Sequence, residues 1–170
     1  ENRRPLRGRL RLLFVGRLVP TKGVRFALES LARMSDRSGI TLDVIGTGRE
    51  RARLEARARQ LGLESVVRFL GRLPRHEVDT HYRNADAFLF PSVREPSGNV
   101  LYEALSHGLP VVTCQHGGPA HLVNSSCGFA IPPVGTSEFL ERIATAIQTL
   151  RDDIQLRIDM SAAARHRVRY

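Results

Sequence analysis

The chain has 170 residues, 42% of them apolar, and a formal net charge of +9 from 26 basic against 17 acidic residues. That is enough chain for one domain with a real core and too much hydrophobicity for a disordered tail. No apolar run approaches the ~20 residues needed to span a bilayer, and two cysteines, Cys114 and Cys127, without metal-ligand neighbours are too few for a disulfide framework and predict buried, reduced thiols.

Residues 1–9 are basic, with no apolar run of signal-peptide length behind them. They read as a tail or linker, not a signal peptide, and the expected location is cytoplasmic. Leu10–Val15 is the first predicted strand, followed by the loop Gly16-Arg-Leu-Val-Pro-Thr-Lys-Gly23 and a helical pattern over 24–34. Ile40–Ile45, the turn Gly46-Thr-Gly48 and a helix over 49–61 come next. A strand over 66–70 leads through Gly71-Arg-Leu-Pro74 to a helix over 75–85. Ala87–Phe90 is a short apolar run of the kind a strand buried on both faces requires. A helix is predicted over 98–107, with Ser97 as its N-cap and Gly108-Leu-Pro110 as its stop. Strands over 111–113 and Gly128–Ile131, a short helix over 119–123 and a long one over 136–150 complete the alternation. The last pattern, over 152–170, ends in basic residues without a stop signal, as a fragment of a longer chain would.

Strict alternation of strands and helices implies right-handed crossovers and a parallel sheet covered on both faces. The expectation is a single α/β domain built on a six-stranded, doubly wound sheet. In such sheets ligands sit outside the carboxyl ends of the strands. The loops carrying Gly16, Arg17 and Lys22, then Gly46 and Gly48, then Arg72 and Leu73, then Glu95 should therefore open onto one edge. Gly46-Thr-Gly48 lacks a third glycine and is a weak dinucleotide fingerprint, and no phosphate loop of the Gly-x-x-x-x-Gly-Lys-Ser/Thr type occurs, which disfavours a simple NTPase.

Glu95 and Glu103 bracket the start of the helix over 98–107, and Glu103 stands roughly 7 to 8 Å further along its axis than Gly98. The N–H groups of Gly98, Asn99 and Val100, in the first turn, form an anion site. A carboxylate accepts hydrogen bonds and sugar hydroxyls donate them, so two carboxylates flanking a phosphate site suit a nucleotide sugar. A surface acid plus an ordinary helix salt bridge satisfies the same spacing. The basic excess is compatible with nucleic acid, an anionic membrane face or a phosphorylated small molecule. Scattered tyrosines and the absence of tryptophan argue against nucleic acid.

Taken in order, Val15-Gly-Arg-Leu-Val-Pro-Thr-Lys-Gly23, Asp43-Val-Ile-Gly-Thr-Gly48, Phe69-Leu-Gly-Arg-Leu-Pro74 and the run from Glu95 to Val112 resemble the C-terminal half of family 4 glycosyltransferases. The resemblance implies one Rossmann-like half of a GT-B fold, in a retaining, metal-independent enzyme of polysaccharide biosynthesis that transfers a hexose from a UDP- or GDP-sugar to a glycan or lipid-linked acceptor. It implies no cofactor and no metal ligand. By the same resemblance Arg17 and Lys22 grip the donor diphosphate, Glu95 contacts donor-sugar hydroxyls, and Glu103 takes the ribose hydroxyls. Gly16, Gly46, Gly48, Arg72 and Leu73 would flank base and nucleotide, and Gly98, Asn99 and Val100 would serve sugar and phosphate. The family's N-terminal acceptor domain has no counterpart in this chain, so the isolated domain is expected to bind nucleotide without turnover; peripheral membrane contact of the complete protein is compatible with this reading. His121 stands where the family commonly has an acidic residue, and Ser97 where it often has an aromatic. A nucleotide-sugar epimerase of the same fold and a basic domain docking on nucleic acid or anionic membrane are the alternatives.

Overall fold

Residues 8–95 and 98–169 are described by the structure, a computed structural model. Strands β1 (Leu10–Val15), β2 (Ile40–Ile45), β3 (Val67–Gly71), β4 (Ala87–Phe90), β5 (Val111–Cys114) and β6 (Gly128–Ile131) form one sheet in the order β3-β2-β1-β4-β5-β6. All five pairings are parallel. The helices are α1 (Val24–Arg33), α2 (Arg51–Gln60), α3 (Arg75–Asn84), α4 (Asn99–Ser106), α5 (Gly118–Leu122), α6 (Thr136–Asp152) and α7 (Ile154–Arg167). Helix α1 packs on α2 and α6, and α4 on α7. With right-handed crossovers on either side of the β1–β4 pair, these two groups cover opposite faces of the sheet.

Central position explains composition. β4 and β5 are buried at every residue and read as continuous apolar runs, interrupted only by Thr113, whose hydroxyl donates to the Phe90 carbonyl at 2.8 Å. Nearer the sheet edge, β2 alternates buried Ile40, Leu42 and Val44 with exposed Thr41 and half-buried Asp43. An aromatic row runs through the core: Phe14 stacks on Phe90, Phe90 on Phe88, Phe88 on Tyr82 and Tyr82 on His107, with centroid separations of 5.0 to 5.8 Å.

Element boundaries differ from the expected ones in a few places. β3 begins at Val67 and runs to Gly71, because its register against β2 shifts between Val44 and Ile45 and carries the pairing one residue further. Helix α2 starts at Arg51, and Gly98 is the N-cap of α4, not part of its first turn, since its φ of 65° is left-handed. Ser97, expected as that cap, lies outside the described residues. Helices α6 and α7 are separated at Asp153, whose carboxylate accepts from the Leu156 N–H at 2.9 Å.

Candidate functional site

The strand order reverses between β1 and β4, and in doubly wound sheets such a switch point at the carboxyl edge is where ligands sit. Main-chain hydrogen bonds tie the loops together. The Gly16 N–H donates to Ile45, Leu18 to Thr47, Glu50 back to Leu18, and Gly46 to Gly71, at 2.8 to 3.1 Å. On the other side the Val93 N–H and the Ser92 hydroxyl both donate to the Thr21 carbonyl, at 3.0 and 2.9 Å. The Gly118 N–H reaches the Glu95 carbonyl at 3.3 Å, joining the loop after β5. The expected convergence of Gly16, Gly46, Gly48 and the Glu95 segment is thus present as one bonded frame.

Lys22 closes a 3-10 turn over Pro20–Lys22, set in place by Gly23. Gly23 has φ +77°, and a Cβ there would lie 2.1 Å from the Pro91 carbonyl oxygen, so no other residue fits. This contact brings Lys22 under the loop after β4, where its ammonium pairs with the Glu95 Oε2 and stands 5.6 Å from the centroid of the Phe90 ring. Lys22 is half-buried, and Glu95 is 7% exposed. Of the ammonium's three donors the pair uses one, and no further acceptor for it occurs among the described residues. Arg17, two residues beyond β1, is exposed and forms no ion pair among the described residues.

One assignment changes in detail. The Gly98 N–H, expected to serve a ligand, donates at 3.1 Å to the Glu95 Oε1. A carboxylate at a helix start is stabilised by the helix dipole, and Glu95, three residues upstream, takes that place itself. The N–H groups of Asn99 and Val100 follow in the first turn, where helix geometry provides no intrahelical acceptor. Asn99 is exposed and Val100 half-buried against the core.

Glu103 lies one turn along α4 and is 32% exposed at its side chain. Its Oε1 accepts from the Arg75 guanidinium of α3 at 3.0 Å. Arg72 is exposed and Leu73 half-buried, both just ahead of Arg75 on the loop joining β3 to α3. Burial pushes the Tyr82 phenol well above its usual range, with the Glu103 charge adding to the shift. Arg75, Tyr82, Phe90 and His107 were not read as parts of the site from sequence; helical spacing puts Arg75, Asp79 and Tyr82 on one side of α3, and no local pattern marks Phe90 or His107. His121 lies exposed on α5, its backbone carbonyl accepting from Arg167 at 2.8 Å. Among the described residues no group of three or more His, Cys, Asp or Glu could hold a metal ion.

The sequence profile of the family "Glycosyl transferases group 1" matches residues 3–167. The chain belongs to this family. It is 34% identical over 168 residues to glycogen synthase of Mycobacterium tuberculosis, a match covering 98% of this chain and 40% of that enzyme. The chain therefore spans about two fifths of that relative's length. Among solved structures it resembles Alr3699/HepE of Anabaena, determined in complex with UDP and glucose, at TM-score 0.75 and 27% identity over 95% of this chain and 45% of that one. It also has the fold of the C-terminal domain of the group 1 glycosyl transferase LpcC of Francisella tularensis, at TM-score 0.82 and 24% identity over 96% of this chain and 86% of that one. The group 1 domain accordingly has the Rossmann-like fold of the C-terminal domain of a GT-B glycosyltransferase, and Lys22 and Glu95 pair at its carboxyl edge.

Proposed function

We propose that this domain binds the donor of a retaining, metal-independent glycosyltransferase of the family 4 type, a UDP- or GDP-sugar whose hexose passes to a glycan or lipid-linked acceptor. The observation that carries the reading is the Lys22–Glu95 pair at the switch point, bonded to the Gly98 N–H at the start of α4, with exposed Arg17 on the same loop as Lys22. Lys22 and Arg17 supply cations for the diphosphate, and their pull on the leaving nucleoside diphosphate grows as negative charge develops on it while the glycosidic bond breaks. That is charge stabilisation a metal would otherwise provide. Glu95, held by Lys22 and the Gly98 N–H, keeps lone pairs for donor-sugar hydroxyls. Glu103 takes the ribose, and the backbone at Arg72 and Leu73 flanks the base. The acceptor comes from the family's N-terminal domain, which also excludes water when the two halves close; in the cytoplasm the complete protein can then serve a membrane-borne acceptor. Calorimetric titration of the chain with UDP and with GDP, in EDTA, should give saturable binding of at least one. Removing both cations by Arg17→Ala with Lys22→Ala should weaken it at least about 100-fold, as the loss of two charge-assisted contacts demands. Unchanged affinity in the double variant, or binding that requires a divalent cation, would sink the assignment.

A further inference from the structure

Glu103 is the one carboxylate of the site that a neighbouring helix holds from outside. Arg75 opens α3, directly after the loop that carries Arg72 and Leu73, and reaches across to α4 to donate to the Glu103 Oε1 at 3.0 Å. On its own helix the same guanidinium lies 3.3 Å from the Asp79 carboxylate, which steadies the arginine. Behind it the Tyr82 ring, fully buried, stacks at 5.0 Å on His107, and the His107 Nδ1 donates to the Glu103 carbonyl at 2.9 Å. Glu103 is therefore fixed through its backbone from one side and through one carboxylate oxygen from the other.

We propose that Arg75 is a positioning residue for nucleotide recognition: it locks the Glu103 side chain in the orientation that meets the ribose and mechanically joins the base-flanking loop after β3 to the ribose carboxylate on α4. This rests on the proposed donor site. A carboxylate has about four acceptor positions, so Oε1 can serve Arg75 while Oε2 meets a ribose hydroxyl. An exposed ion pair contributes little to stability. Its effect on binding is different in kind, because a side chain already held in its bound rotamer loses no freedom when the ligand arrives. The arginine acts on the ribose alone and should be indifferent to phosphate.

The probes are UDP (or GDP, whichever binds) and inorganic pyrophosphate, which keeps the diphosphate and lacks the ribose. Glu103→Gln should weaken the nucleotide and leave pyrophosphate unchanged. Arg75→Ala should weaken the nucleotide about two- to tenfold, as one freed side chain predicts, and again leave pyrophosphate unchanged. In the Glu103→Gln background Arg75→Ala should do nothing further, since its only route is through that carboxylate. Arg75→Lys, with a point charge in place of the planar fork, should restore part of the affinity. Equal losses for pyrophosphate would make Arg75 a phosphate ligand and overturn the proposal, as would nucleotide affinity unaltered by Arg75→Ala or a loss that persists without Glu103. If Glu103→Gln leaves nucleotide affinity intact while Arg17→Ala with Lys22→Ala removes it, the ribose assignment fails, the diphosphate assignment stands and Arg75 has no role. Thermal unfolding of each variant separates these outcomes from misfolding.

Discussion

Lys22 and Glu95 are 73 positions apart in sequence, and their pairing is what turns two scattered charges into a site. Taking both out of water is costly, and the cost is offset because the two charges meet and Glu95 has the ammonium on one oxygen and the Gly98 N–H on the other. Glu95→Ala should accordingly lower stability by about 1–3 kcal/mol, read from the urea midpoint, since it strands a half-buried ammonium and a buried N–H together. Glu95→Gln, which still offers a carbonyl to Gly98, should lose less; equal losses would mean the Gly98 bond contributes nothing. At this scale the motifs alone showed which residues belonged at the edge, but not which of them touch. Arg75 carries no motif at all, and its bond to Glu103 exists only because α3 and α4 lie side by side. The Gly98 N–H looked available for the same reason: nothing in the local pattern says that a glutamate three residues earlier will turn back onto it.

Strands and helices were legible because burial leaves a period in the sequence, two for the partly covered β2 and none for the fully covered β4 and β5. Helix ends were less legible, since they depend on caps. Helix α6 runs to Asp152, two residues beyond the expected end, because Arg151 is drawn into the protein. Its side chain is 7% exposed and donates to the Asp36 carbonyl at 2.9 Å, to the Asp36 carboxylate at 3.1 Å and to Asp152 at 2.8 Å, clamping the end of α6 to the turn between α1 and β2. The Arg151 hydrogen bond holds Asp152 below the usual carboxylate range, and Ser38 with Arg151 does the same for Asp36. A carboxylate whose pKa is lower folded than unfolded contributes stability above its unfolded value and loses it as the pH falls through its folded one. Stability should therefore decline below about pH 4, and the decline should be shallower in Arg151→Met, where the clamp that depresses Asp152 is gone. Denaturant midpoints between pH 3 and 7 for both proteins check this; parallel curves would exclude the clamp as a source of acid sensitivity.

For the whole molecule, a doubly wound parallel sheet follows from alternation and crossover handedness, both visible in the chain, whereas the order β3-β2-β1-β4-β5-β6 is not fixed by them. The path of the aromatic row from Phe14 to His107 was not visible, because its members come from β1, β4, α3 and the end of α4 and share no local pattern. The two cysteines behave as composition predicted: both are free and fully buried, and burial raises the Cys114 thiol above its ordinary value. A thiol reagent such as DTNB should thus label neither in the folded protein and both in denaturant, with labelling at intermediate urea following unfolding; rapid labelling of the folded chain would show that the sheet opens locally around β5. The bonds that join the loops after β1, β2 and β3 are almost all main chain to main chain. Point substitution can hardly edit such a framework, except at Gly23, Gly46 and Gly48, where a Cβ would fall 2.1, 1.8 and 2.3 Å from a backbone oxygen. Inheritance of the fold is then inheritance of the cradle, and divergence is left to what hangs from it. A directed-evolution library aimed at the proposed donor site belongs at the exposed or half-buried positions Arg72, Leu73 and Asn99, with those three glycines kept constant.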